Sequence, residues 1–432
     1  MNILIENALA VLPNGGKDEI GRHNIYIEEK IIAGIDEEPQ GFKADKVISG
    51  DNRLVIPGLI NSHTHTYMSM MRNCADDLSF TDWLFNTIDP IEAELTPEDA
   101  YWGSLLGQIE MIKAGTTTFN DQQMHIHMVT RAAKESGMRA VISRGLVGSE
   151  YDRSDRRLTE ALEEMGDGKD CDRLNFLLGP HAPYSCGPEY LRMIADVAAE
   201  KGLGIHMHIA EGAVESENME RDHHCTPVEY VRDAGIFKNH TIAAHCIRVS
   251  DSDMDILKEN NVSVVTNPAS NMKLGNGFAP VPAMLDKGIN VCLGTDGAAS
   301  NNGQNMFREM GFLSLIHKGV HDTPQCVGAK EVFKMSTING AKALGLDKIT
   351  GSIEKGKRAD LAILRLDVPS MMPNNNLLAA LCYSANGSEV DTVVIDGQVV
   401  MEDREIKTLD EERVYHEIRS LCERLGLDKK SY

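Results

Sequence analysis

LVIPGLINSHTH, residues 54–65, opens with three apolar residues, breaks at Pro57-Gly58 and ends with His63 and His65 on either side of Thr64. In an extended strand, side chains two apart leave the same face, so both imidazoles point together. An isolated pair of this kind is more often a coincidence or a pair of satisfied surface donors than a metal site, and the rest of the chain has to decide. Seven further short apolar or β-branched runs follow: GTTTFND (115–121), RAVISRGLV (139–147), LNFLLGPHAPY (174–184), GIHMHIAE (204–211), TIAAHCIRV (241–249), VSVVTNPAS (262–270) and NVCLGTDGAAS (290–300). Between them lie stretches such as PEYLRMIADVAAEKG (188–202), apolar at i, i+3 and i+4 and closing near Gly or Asn, as helices do. Eight such units in series predict an α/β chain built on a (β/α)8 barrel. Nearly every run ends in polar side chains: His63/His65, Asn120/Asp121, Arg144, His181, His208/Glu211, His245, Asn267/Ser270 and Asp296/Ser300. Active sites of this fold sit at the C-terminal ends of the strands.

The flanks read differently. Residues 1 to about 53 and 351–401 carry short strand-like pieces with turns between them, and neither set is long enough for a core of its own. The expected organisation is a small β-sandwich assembled from both ends of the chain: a first part over 1–56, the metal-dependent barrel over 57–348, and a second part over 349–432. The last part ends in a helix, DEERVYHEIRSLCERLG.

Composition narrows the class. The chain has 432 residues, 42% of them hydrophobic, ample for a large core. Against 65 Asp+Glu stand 43 Lys+Arg, a net −22 that disfavours nucleic acid and anionic membrane surfaces as partners. No stretch approaches the roughly 20 apolar residues of a bilayer span, and no cationic segment leads an apolar one at the start. A cytoplasmic protein is expected. The nine Cys are scattered without a Cys-x-x-Cys, so neither a disulfide framework nor a Cys-rich zinc knuckle is suggested.

Zinc takes His nitrogens and carboxylate oxygens, and a catalytic site keeps a position open for water. The first strand offers His63 and His65, the fifth His206 and His208, the sixth His245 and the eighth Asp296. Spacing leaves His206 and His208 both open; His208 is favoured because it lies nearer the strand's end and three residues before Glu211. A bridging Lys at the end of the fourth strand would signal two metals, and that run ends in His181 instead, so one metal is expected. Glu211 is placed to shuttle a proton, with helix-start carboxylate as the bland alternative. The second pair, His125 and His127, lies past the second strand and reads as pocket rim or surface; His223-His224 reads as solvated. Met68, Met70 and Met71 could line the pocket or simply pack.

PGLINSHTH, GTTTFND, GPHAPYSC, HMHIAE, AHC, NPASNMKLGNG, GTDGAASNN and the late GSIEKGKRADLAIL resemble the amidohydrolase superfamily, and together its 5′-methylthioadenosine/S-adenosylhomocysteine deaminase branch, over nearly the whole chain. The resemblance implies one metal per subunit, Zn²⁺ or another divalent ion such as Fe²⁺, on His63, His65, His208 and Asp296. It further implies His245 serving the water, and Glu211, His245 and Asp296 as the catalytic set. Glu92, His181 and Glu211 resemble substrate contacts, and Arg144 and Arg156 fall where the branch places substrate-binding arginines, with Arg157 beside Arg156 left open. Gly212 departs from the Thr common after that Glu. The implied substrate is a small nucleoside deaminated at C6 of adenine: 5′-methylthioadenosine, S-adenosylhomocysteine, adenosine or 5′-deoxyadenosine. A homo-oligomer is expected. The competing readings are a relative acting on a guanine-like base or chlorotriazine, a cyclic-amide hydrolase, which the missing Lys disfavours, and a scaffold without chemistry, which the intact polar set disfavours. A cytidine-deaminase type is excluded, because its Pro-Cys-x-x-Cys half-site is absent.

Overall fold

The computed structural model describes residues 1–14 and 17–427; residues 428–432 of the expected C-terminal segment lie outside the described residues. From the start of the chain come β1 (Ile3–Asn14), β2 (Lys17–Glu28), β3 (Ile31–Ile35), β4 (Lys46–Ser49) and β5 (Arg53–Pro57). Eight strands follow in series: β6 (Leu59–Thr64), β7 (Thr116–Gln123), β8 (Arg139–Leu146), β9 (Leu174–Pro180), β10 (Ile205–Ile209), β11 (Thr241–His245), β12 (Ser263–Thr266) and β13 (Val291–Leu293). The chain then returns with β14 (Leu361–Arg365), β15 (Val390–Ile395), β16 (Gln398–Glu402) and β17 (Glu405–Ile406).

Pro57-Gly58 divides the opening stretch between two sheets. Leu54, Val55 and Ile56 pair antiparallel with β14, so they belong to the terminal sheet and not to the barrel. A Cβ built on Gly58 would lie 2.1 Å from Thr117 Oγ1, which leaves room only for glycine at the crossing. The terminal strands join in one nine-stranded path, β17-β16-β15-β14-β5-β1-β2-β3 with β4 on β1, rather than two separate sheets. They share a core of residues such as Ile3, Ile25, Val55, Leu361 and Ile363.

β6 to β13 form an eight-stranded sheet in sequence order, every neighbour parallel. The last seam closes at the mouth, where the N–H groups of Thr295 and Asp296 donate to His63 O at 3.2 and 2.9 Å. At the opposite end of that seam the helix Ile338–Ala343 intervenes: Asn339 Nδ2 donates to Val291 O at 3.0 Å and Ile60 N–H to Ser336 O at 2.8 Å. Arg139 at the start of β8 is buried and ties the barrel to the terminal sheet. Its Nε donates to Asp360 Oδ2 at 2.7 Å and its Nη2 to Asp396 Oδ1 at 3.2 Å. Among the described residues, no helix is long and apolar enough to cross a membrane.

Candidate metal centre and active site

The mouth ends of β6, β10 and β11 and the turn after β13 bring their polar side chains to one point. His63 Nε2 and His65 Nε2 each lie 3.3 Å from Asp296 Oδ1, and His65 Nε2 lies 3.2 Å from His208 Nε2. One ligand atom each from His63, His208, His245 and Asp296 falls within 4.8 Å of the others.

The outward nitrogens explain why these rings face inward. His65 Nδ1 donates to Gln122 O at 2.6 Å and His208 Nδ1 to His181 O at 2.8 Å. A carbonyl only accepts, so both rings carry a proton on Nδ1 and turn Nε2 toward the cluster, where, against burial, the Asp296 carboxylate raises the His65 imidazole to about 9. His63 Nδ1 meets His206 Nε2 and His245 Nδ1 meets Asn271 Oδ1, both at 2.8 Å. The Nε2 atoms of His63 and His245 are buried with no hydrogen-bond partner. Buried, unpaired imidazole nitrogens beside an oriented carboxylate, with the far nitrogens engaged, are what a metal site requires. Asp296 Oδ2 accepts from Ser270 Oγ at 2.6 Å and Ser300 Oγ at 2.9 Å, which leaves Oδ1 for the histidines.

Charge follows from burial. Burial holds the His208 and His206 imidazoles well below their usual range and brings His63 down to about 4, so these rings are neutral donors. Burial alone would raise the Asp296 carboxyl, yet the His63 and His65 imidazoles hold it well below the usual carboxylate range. The backbone is also unusual here: Ala210, His245 and Asp296 have φ of 54°, 71° and 63°, in the left-handed region that non-glycine residues enter at a cost.

Both strand-five histidines share a face, as their spacing requires, and the structure separates them by depth. His208 Nε2 reaches the ligand cluster, whereas His206 sits behind and orients His63. Glu211 Oε1 lies 3.9 Å from His245 Nε2, and burial raises its carboxyl. Glu215, which sequence reasoning passed over, accepts from the N–H groups of Ala210 and Glu211 at 3.0 and 2.7 Å and so fixes the turn that presents Glu211. Its only signal was a second glutamate four residues on.

Above the cluster opens a cavity of about 500 Å³, lined by His65, Glu92, His181, Tyr184, Glu211, His245 and Asp296 together with Phe80 and Trp83. Met68 lines it too, while Met70 and Met71 pack in a neighbouring apolar cluster. Glu92 accepts a hydrogen bond from Tyr67 Oη. Arg144 and Arg156 do not line this cavity. They face an adjoining one of about 300 Å³ with His125, Glu160 and Glu164, and Met124, Gly145 and Arg157 border both. Arg144 pairs with Glu160 and Glu164 at 2.5 and 2.9 Å, and the exposed Arg156 reaches Glu160 at 3.3 Å. His127 Nδ1 meets Glu164 Oε1 at 3.2 Å, and His223 is exposed.

The sequence pattern of the amidohydrolase family matches residues 54–400, which spans the barrel and the flanking strands β5, β14 and β15. The chain belongs to the amidohydrolase family. It is a metal-dependent hydrolase with a divalent-metal site at the barrel mouth. It is 46% identical over 428 residues to the 5-methylthioadenosine/S-adenosylhomocysteine deaminase of Caldanaerobacter subterraneus subsp. tengcongensis, covering 98% of this chain and 99% of that one. The enzyme of the same name from Thermoanaerobacter pseudethanolicus is also 46% identical, with the same coverage. Among solved structures, an adenosine deaminase from Xanthomonas campestris with bound zinc superposes with a TM-score of 0.92 at 28% identity, covering 98% of both chains.

Proposed function

We propose that the chain is a zinc-dependent hydrolytic deaminase acting at C6 of adenine nucleosides whose ribose carries a 5′ substituent, 5′-methylthioadenosine or S-adenosylhomocysteine, with release of ammonia. The observation that carries this reading is the convergence of the histidine Nε2 atoms on Asp296 Oδ1, with Glu211 beside them at the floor of a cavity of nucleoside size. Relatives that share nearly the full length and bear that activity in their names support it.

We assign one metal per subunit to His63, His65, His208 and Asp296, with His245 facing the attacking water. The grouping that takes His245 in place of His65 is the competing set. A divalent metal held there supplies Lewis acidity and a nucleophilic water at neutral pH. Asp296 is placed to accept the water's proton and His245 Nε2 to orient it. Glu211, whose carboxyl burial raises, would deliver a proton to the ring nitrogen beside C6 as the water's oxygen adds there, and the proton taken up by Asp296 would pass to the amine, which leaves as ammonia. Glu92 suits the ribose hydroxyls. Arg157 stands where a 5′ chain would pass from the larger cavity toward Arg144 and Arg156, and is the arginine best placed to meet a homocysteine carboxylate.

Ammonia release measured across adenosine, 5′-deoxyadenosine, 5′-methylthioadenosine, S-adenosylhomocysteine, guanine and a chlorotriazine tests the reading. Turnover of the 5′-substituted nucleosides is expected. Turnover of only the free base or the triazine would place the chain elsewhere in the family.

A further inference from the structure

Glu309 lies in the first turn of the helix Met306–Val320, fully buried, and nothing above uses it. Its Oε2 accepts from the N–H of Ala269 at 3.0 Å, and its Oε1 from Nδ2 of Asn301 at 2.9 Å. These contacts reach two short helices, Pro268–Lys273 and Ala298–Asn301. The first carries Ser270, a donor to Asp296 Oδ2, and Asn271, the partner of His245 Nδ1. The second carries Ser300, the other donor to Asp296 Oδ2, and Asn301 Nδ2 also donates to Thr295 O at 2.6 Å, one residue before Asp296.

We infer that Glu309 is a positioning residue for the metal centre: one carboxylate pins together the start of one short helix and the end of the other, the two helices that orient Asp296 and His245. The chemistry calls for a carboxylate. Both partners are N–H donors, so both oxygens must accept, and a glutamine of the same shape would turn its NH₂ group against one of them. Burial pushes the carboxyl up to about 7, and the N–H donors of Ala269 and Asn301 pull the other way, toward the carboxylate. Glu309 touches neither substrate nor metal; it acts through Ser270, Ser300 and Asn271.

The inference rests on the metal-site reading, and the test separates the two. Wild type and Glu309→Gln would compete with a chromophoric chelator for Zn²⁺, alongside kcat, KM and the thermal midpoints of the metal-free proteins. The expected result is a ten- to hundredfold loss of Zn²⁺ affinity, the range seen when partners of ligands are removed. A fall in kcat with KM within about twofold should accompany it. Should Glu309→Gln fail to fold, Asn301→Ala, which removes one of the two anchors, must weaken Zn²⁺ in the same direction. Folded variants that hold Zn²⁺ as tightly as wild type overturn the inference alone. A wild-type protein that binds no divalent metal overturns the inference and the proposed function together.

Discussion

The two ends of the barrel are built from the same eight strands and could hardly differ more. At one end Ile60, Val141, Leu177, Ile242, Val265 and Cys292 point inward and are sealed by Ala341, Leu344 and Leu346 of the segment that follows the barrel. At the other end the inward positions are His63 and His245, each three residues beyond Ile60 and Ile242 on the same strand, and His208 on β10, and the backbone leaves ordinary geometry at Ala210, His245 and Asp296. The sealed end needs only volume and apolarity. The mouth needs each polar atom paired or reserved, and the fold supplies Gln122 O, His181 O, Asn271, Ser270 and Ser300 for that purpose. Stability is thereby concentrated where chemistry is absent, and strain where it is present.

That contrast can be broken first at the mouth. Asp296→Ala should abolish metal retention and turnover while leaving the fold intact, because it removes the carboxylate on which the imidazoles converge; elemental analysis and circular dichroism check both halves. Glu211→Gln should keep one metal per chain and lose about 10²–10⁴ in kcat, the usual contribution of a positioned acid or base. Near-normal turnover would move the proton shuttle elsewhere. Arg157→Ala should cost roughly one to two decades in kcat/KM on S-adenosylhomocysteine, the equivalent of a charged hydrogen bond of about 1.5–3 kcal/mol, and much less on 5′-methylthioadenosine. An equal loss on both would make the arginine structural. At the sealed end Ile242→Ala should do the converse, lowering stability by about 2–5 kcal/mol with kcat and metal content per folded molecule unchanged. A variant there that lost metal before stability would show that the two ends are not separable.

The sequence made the barrel legible because a parallel strand buried on both faces is a near-continuous apolar run, and eight of them alternate with helical periods. The split at Pro57-Gly58 was less visible: Leu54–Ile56 and Leu59–Thr64 look like one run, and only the pairing with β14 separates them. The polar cluster at the mouth was legible because its members end strands or follow them directly. Its supports were not, since Gln122 O and His181 O are backbone atoms, and Glu215 and Glu309 act through contacts that no spacing rule reveals. Period could rank His208 over His206 only by its nearness to the strand end and to Glu211, and nothing in the spacing shows that Arg157 borders both cavities while Arg156, beside it in one helix, borders only the smaller.

The smallest effect concerns a buried titratable group away from both ends. His317 sits in the last turn of the helix that begins with Glu309's turn, 3% exposed, its Nδ1 without a hydrogen-bond partner and its ring stacked on His321 at 5.8 Å. Burial, then the neighbouring His321, push its pKa down to about 4 from an ordinary 6.5. Between those values the unfolded chain binds a proton that the folded chain refuses, so the stability this residue contributes is full above about 6.5 and is lost as pH falls toward 4. His317→Leu should therefore gain thermal midpoint relative to wild type as pH drops from 7 to 4.5, measured on chelator-treated protein so that metal loss plays no part. A cation near a helix C-terminus is favoured by the helix dipole, which opposes burial. If the variant instead loses ground on acidification, the dipole outweighs burial and His317 is charged in the folded protein.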